Sequence, residues 1–297
     1  MPKLIRRTFI APDGKLRAIW RAIIYYVAAR WILAILWDRP YTAIANWLHI
    51  SSGISAAGDV LLESAVFIAA FLVTGALALY ERRRVDSYGL SISRALRRET
   101  LEGFILGIIV PGVIALGMIL LGGMQIKGLA IHGTALLLSA LAWLGAEICV
   151  GIAEEFMFRS YLQQTLWKSI GFWPSATMIA LIFAGEHYFF KTGENIWDVI
   201  QLISFSLLLS YTMLRTGTLW FAVGFHAAFD YMQLFVIGTP NGAEIPAGRL
   251  LDVQFNGPAW LTGGVLGTEA SFLMFPVMTL VWFFVWWRFR KNAPLQV

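Results

Sequence analysis

The chain has 297 residues, 58% of them hydrophobic and only 14% charged, against roughly 25% charged in soluble domains. With a mean hydropathy of +0.68, that composition excludes an ordinary soluble domain and predicts a polytopic membrane protein. The single cysteine, Cys149, lies in an apolar run and excludes a disulfide framework. The net charge of +5 does not point to nucleic acid, because the basic residues sit between apolar segments, where they set topology and meet anionic lipid.

Eight apolar segments run along the chain, at 22–37, 58–80, 101–122, 134–156, 172–190, 196–214, 217–238 and 270–288, most of them near the roughly 20 residues that cross a bilayer. In lipid these must be helices, since every backbone polar group needs an internal partner. The expected fold class is therefore all-α, a bundle of about eight transmembrane helices around a buried polar cavity, with residues 1–297 forming one integral-membrane domain. The first segment follows a long basic leader and precedes no small-residue cleavage site, so it reads as a span and not as a cleavable signal.

Lys3, Arg6, Arg7, Lys15, Arg17 and Arg21 precede the first segment, and Arg82, Arg83, Arg84, Arg94, Arg97 and Arg98 lie between the second and third. Arg159, Lys168, Arg215, Arg288, Arg290 and Lys291 fall on the same side, and only Arg39, Lys127, Lys191 and Arg249 on the other. The positive-inside rule then places both termini in the cytoplasm of a multi-pass protein of the cell membrane. The connection 239–269 is rich in Gly and Pro and faces outside.

Charges within spans are costly, roughly 2.5–3.5 kcal/mol each on insertion scales. In chain order the spans hold Arg30, Asp59, Glu63, Glu147, Glu154, Glu155, Glu186, His187, His226 and Asp230. Arg30 is expected to pair with Glu63 or with Glu147, and Asp59 to be solvated at the outer interface. Glu147 is two helical turns before Glu154 and shares its face. Glu155 and Arg159, Phe183 and His187, and His226 and Asp230 are each spaced i, i+4, which also puts both members on one face. Glu186 takes no role from this pattern.

Chain geometry draws these groups together. The midpoint between Glu154 and His187 falls at the Ile170–Gly171 junction, where Gly171 and Pro174 punctuate the apolar pattern. A helical hairpin with arms of about 16 residues, roughly 24 Å each, would bring Glu154 and His187 to one depth. Its polar tip, RSYLQQTLWKS, is expected to protrude into the cytoplasm. His226 comes about ten residues, roughly 15 Å, above the Arg215–Gly217 turn, a similar depth.

Carboxylate and imidazole in a confined wet cavity are hydrolytic equipment. A glutamate can take a proton from water directly or through a metal, and a histidine can stabilise the oxyanion that follows. Two His and a Glu are also ligands that zinc accepts, so Glu154, His187 and His226 are the candidates should a divalent metal be the cofactor. The sequence contains no HExxH, GxSxG, GxGD or Walker A motif, which sets aside several other intramembrane hydrolases and ATP-driven transport.

EEFMFR at Glu154–Arg159, FAGEH at Phe183–His187 and HAAFD at His226–Asp230 match, in order, the EExxxR, FxxxH and HxxxN/D motifs. In these motifs the chain resembles the CPBP family of type II CAAX prenyl endopeptidases and bacteriocin-processing enzymes, over about 140–235. The resemblance implies an intramembrane metallo- or glutamic endopeptidase with its catalytic core at 134–238. It implies that Glu154 and His187 activate the attacking water, that His226 and Asp230 hold the oxyanion or a metal, and that Glu155, Arg159 and Phe183 support them. Position 230 is Asp where the prenyl endopeptidases typically have Asn, and an ionised Asp cannot donate to an oxyanion; it can orient His226 or ligate metal. The expected partners are membrane lipids and a membrane-associated or lipidated peptide or protein. The competing readings are a non-catalytic scaffold that binds a partner helix and a proton-coupled transporter.

Overall fold

The computed structural model describes residues 8–50 and 53–296; Lys3, Arg6 and Arg7 lie outside them. Each apolar segment of the sequence is a helix. We number the elements α1 (Ala18–Trp37), α2 (Arg39–Trp47), α3 (Ala56–Glu81), α4 (Arg98–Leu120), β1 (Met124–Leu129), α5 (Gly133–Arg159), α6 (Tyr161–Ile170), α7 (Phe172–Phe190), α8 (Ile196–Thr216), α9 (Trp220–Asp230), β2 (Leu251–Phe255) and α10 (Met274–Phe289). The chain is an all-α polytopic membrane bundle, with seven helical stretches long and apolar enough to cross a membrane among the described residues. The eighth segment, α7, is helical but is not among these seven, because its 19 residues include Glu186 and His187. The two small strands pair antiparallel from Met124↔Phe255 to Leu129↔Leu251, with a bulge between Ile126 and Gly128. This corrects the reading of 239–269 as mere connection.

Large apolar side chains point outward all round the bundle, among them Leu79, Leu138, Leu280 and Phe283. Such a surface suits lipid and not water. Two apolar clusters fill the inside. Ile114, Met118, Leu208, Phe221, Phe225 and Phe289 join α4, α8, α9 and α10. Tyr25, Ala70, Phe156, Tyr161 and Phe183 join α1, α3, α5, α6 and α7.

Within the first cluster, α4 and α9 touch backbone to backbone. A Cβ added at Gly103 would lie 2.2 Å from the Phe221 carbonyl oxygen, one at Gly107 2.3 Å from that of Phe225, and one at Gly224 2.3 Å from that of Thr100. Glycines at this spacing let membrane helices approach until main chains meet. On α5, a Cβ at Gly151 would meet the Val223 carbonyl oxygen at 2.9 Å. Helix α9 is thus held between α4 and α5 with no long side chain intervening.

The polar tip of the expected hairpin does not protrude. Helix α5 ends at Ser160, and α6 turns back into the protein with residues 161–166 all buried. Each polar group there has found a partner. The Tyr161 hydroxyl donates to Glu81 (2.5 Å), Gln164 Nε2 donates to the Tyr88 carbonyl (2.9 Å), and the Gln163 side-chain oxygen accepts from Ser210 (3.1 Å). Arg21 closes the ion pair with Glu81. Burial, reinforced by the Glu81 carboxylate, pushes the Tyr88 phenol up to about 12, so it stays a neutral donor toward Glu81 (3.3 Å). A buried polar segment is stable when its groups are paired in this way, and hydropathy alone does not reveal the pairing. Gly171, at φ +87°, makes the following turn.

Candidate active site

Three helices meet at the seam between the two apolar clusters. Near its C-terminus α5 presents Glu154 and Glu155 on successive helical positions, so their side chains diverge by about 100°. Glu155 and Arg159 are fully buried and paired: Arg159 Nη1 donates to both Glu155 oxygens at 2.8 Å. Arg159 Nη2 donates to Ser206 Oγ at 2.8 Å and to the Ser206 carbonyl at 3.3 Å, which ties α5 to α8.

His226 on α9 faces this pair. Its Nδ1 lies 2.9 Å from Glu155 Oε1, so Nδ1–H donates to the carboxylate and the ring is fixed in one orientation. The other nitrogen, Nε2, lies 3.4 Å from Asp230 Oδ2 and 3.6 Å from Glu154 Oε2. Sequence spacing offered Asp230 as the group that orients His226. The closest carboxylate is instead Glu155 on another helix, and Asp230 sits at the opposite nitrogen. Phe205 packs edge-on against the imidazole at 5.3 Å.

His187 on α7 is half-buried, with Nδ1 2.9 Å from the Phe183 carbonyl oxygen one turn back. That bond places the proton on Nδ1 and leaves Nε2 as an acceptor. The Phe183 ring packs 4.5 Å from His187, 6.4 Å from His226 and 5.7 Å from the Arg159 guanidinium. It is the wedge that joins the three motifs. His187 and His226 line one cavity of about 60 Å³ with Gln201, Phe205, Phe229 and Glu269, room for a few waters. Glu154 is on the far side of His226, and no hydrogen bond or ion pair joins it to His187 among the described residues.

Residues 136–232 match the family model described as Rce1-like, type II CAAX prenyl endopeptidase. These residues are an Rce1-like segment of the CPBP family. It runs from α5 to just past α9 and contains every residue of the three motifs. No curated protein matches the chain.

The Rce1-like segment does not present a closed zinc site. Three ligands about 2.0–2.1 Å from one ion must lie within about 4 Å of one another. Among the described residues, Glu194, Asp198 and Glu269 are the one group of three His, Cys, Asp or Glu ligand atoms mutually within 4.8 Å. Glu154, His187 and His226 as they stand do not meet that condition.

Two expectations for the surrounding charges are corrected. Arg30 pairs with neither Glu63 nor Glu147: its Nη1 lies 3.0 Å from Glu186 Oε2, and the Tyr26 hydroxyl donates to Glu186 Oε1 at 2.7 Å. This gives Glu186, beside His187, the role of anchoring α7 to α1. Asp59 is half-buried within electrostatic reach of Asp230, not solvated at an interface. Glu63 and Glu147 lie in the same electrostatic environment as Glu154 and Asp230. Glu147 is fully buried, and neither of its carboxylate oxygens has a hydrogen-bond partner among the described residues.

Proposed function

We propose that the chain is an intramembrane endopeptidase that hydrolyses a peptide bond near the C-terminus of a membrane-anchored or lipidated peptide or protein. The observation that carries this reading is the His226 ring held at Nδ1 by Glu155 and facing Glu154 and Asp230 at Nε2, inside the segment that matches type II CAAX prenyl endopeptidases.

The chemistry follows from those groups. Glu154, with about a fifth of its side chain accessible, takes a proton from water, and the hydroxide equivalent attacks the scissile carbonyl carbon. His187 Nε2, free to accept, holds the same water from the α7 side. His226, when Nε2 carries a proton, donates it to the oxyanion. The C–N bond then breaks, and the proton held by Glu154 passes to the leaving amine. Asp230 and Glu155 position His226. No step requires a metal. Both termini face the cytoplasm in this reading, and the outward apolar faces contact lipid.

Purified protein in detergent or proteoliposomes should cleave a prenylated C-terminal peptide or a related apolar peptide. Glu154→Ala and His187→Ala should each reduce cleavage at least 100-fold while the protein remains monodisperse. Full cleavage by both variants refutes the assignment of roles. No cleavage by the wild type, together with a partner-dependent phenotype that survives Glu154→Gln, favours a scaffold of the same fold.

A further inference from the structure

A second group of carboxylates lies at the other end of α7, outside the three motifs. The turn after α7 and the start of α8 carry Glu194 and Asp198, and the segment Gly264–Ala270 brings Glu269 against them. One oxygen from each of the three lies within 4.8 Å of the others. Asp198 is 1% exposed. Both of its carboxylate oxygens, and both of those of Glu194, are buried without a hydrogen-bond partner among the described residues. Asn195 caps α8 by accepting from the backbone N–H groups of Trp197 and Asp198, so the cap leaves the Asp198 carboxylate unengaged.

The cation present is the Lys191 ammonium. It donates to Glu269 and lies 3.6 Å from Glu194 Oε1. One ammonium against three carboxylates leaves the group short of positive charge, and an unpaired buried carboxylate is expensive. Two oxygens bound to one Ca²⁺ at about 2.4 Å can lie at most about 4.8 Å apart. The three carboxylates are therefore already close enough to share one ion. All-oxygen donors of this kind select hard divalent cations over zinc or copper.

We propose that Glu194, Asp198 and Glu269 form a binding site for a hard divalent cation of the Ca²⁺ or Mg²⁺ type, which displaces the Lys191 ammonium when it binds. The ion joins the start of α8 to the Gly264–Ala270 segment. Glu269 also lines the cavity of His187 and His226, so occupancy fixes one wall of that cavity.

The test uses the full chain, stripped with EDTA and exchanged into chelator-free detergent buffer, with Tb³⁺ luminescence as the probe and Ca²⁺ as competitor. The wild type should give a saturable signal that Ca²⁺ removes. Asp198→Asn and Glu194→Gln should each weaken Tb³⁺ binding at least 10-fold, and Lys191→Met, which removes the competing ammonium, should strengthen it at least 10-fold. Size-exclusion profiles check that each variant is folded, and Lys191→Met reports on the site even if a carboxylate variant is not. Equal binding by wild type and both carboxylate variants overturns the proposal, as does the lack of a Ca²⁺-competable signal in both wild type and Lys191→Met.

Discussion

Replacing Glu155 with glutamine keeps the shape of the side chain and removes the charge that Arg159 needs. Arg159 is fully buried, and four of its five N–H groups are engaged, two of them by Glu155. Breaking a buried pair by removing one partner costs about 3–5 kcal/mol, because the other charge stays buried and uncompensated. At about 1.4 kcal/mol per decade, the folded fraction relative to unfolded falls by roughly 100-fold to several thousand-fold. Tryptophan fluorescence during chemical denaturation in detergent reads this directly. Removing both charges with Glu155→Leu and Arg159→Met should restore stability to within about 2 kcal/mol of wild type, since apolar replacements of buried pairs are often near neutral. Cleavage should not recover, because His226 Nδ1 has lost its acceptor and a misplaced catalytic group costs on the order of 100-fold. A Glu155→Gln variant within about 1 kcal/mol of wild type would refute the claim that this pair holds α5 in place.

Other perturbations test neighbouring contacts. Gly107→Ala puts a Cβ 2.3 Å from the Phe225 carbonyl oxygen; it should cost about 1–3 kcal/mol by overpacking in the same denaturation assay and lower cleavage, because the displaced residue neighbours His226. Glu147→Gln, at a carboxylate with no hydrogen-bond partner among the described residues, should cost under about 1 kcal/mol, in contrast to Glu155→Gln. Glu186→Gln loosens a half-exposed pair with Arg30 and should cost about 1 kcal/mol or less, read from the same curves. Asp230→Asn keeps a polar group 3.4 Å from His226 Nε2 and should retain more peptide cleavage than Asp230→Ala, measured as kcat/KM.

The spans were legible because lipid imposes one rule on every residue of a helix, so composition alone marks them. The Glu155–Arg159 pair was legible because it is local, four residues apart on one helix. Contacts between helices were harder. Nothing in the chain order says that Arg30 meets Glu186 in place of Glu63 or Glu147, since lateral neighbours in a bundle depend on packing. The close contact of α4 with α9 did leave a trace, Gly103 and Gly107 facing Gly224 and Ala228, and spacing of small residues could have exposed it. The buried tip at 161–166 misled because its polar residues are paired by tyrosines and glutamines from distant segments. The His226–Glu155 bond was hidden for a related reason: two adjacent glutamates look equivalent in sequence, and only packing divides them.

The π-helical stretch Tyr231–Ile237 that follows α9 has a further consequence. A π-turn holds one more residue than an α-turn, so everything after it is offset from the register of His226 and Asp230. Downstream, Gln233 accepts from Thr268 and the Phe235 carbonyl accepts from Leu250 N–H, contacts that fix the outer segments. The family match stops at residue 232, inside this stretch. A lineage could therefore gain or lose a residue here and restyle its outer segments while His226 and Asp230 keep their places, which makes the π-turn an expansion joint between a constrained core and a freely diverging exterior.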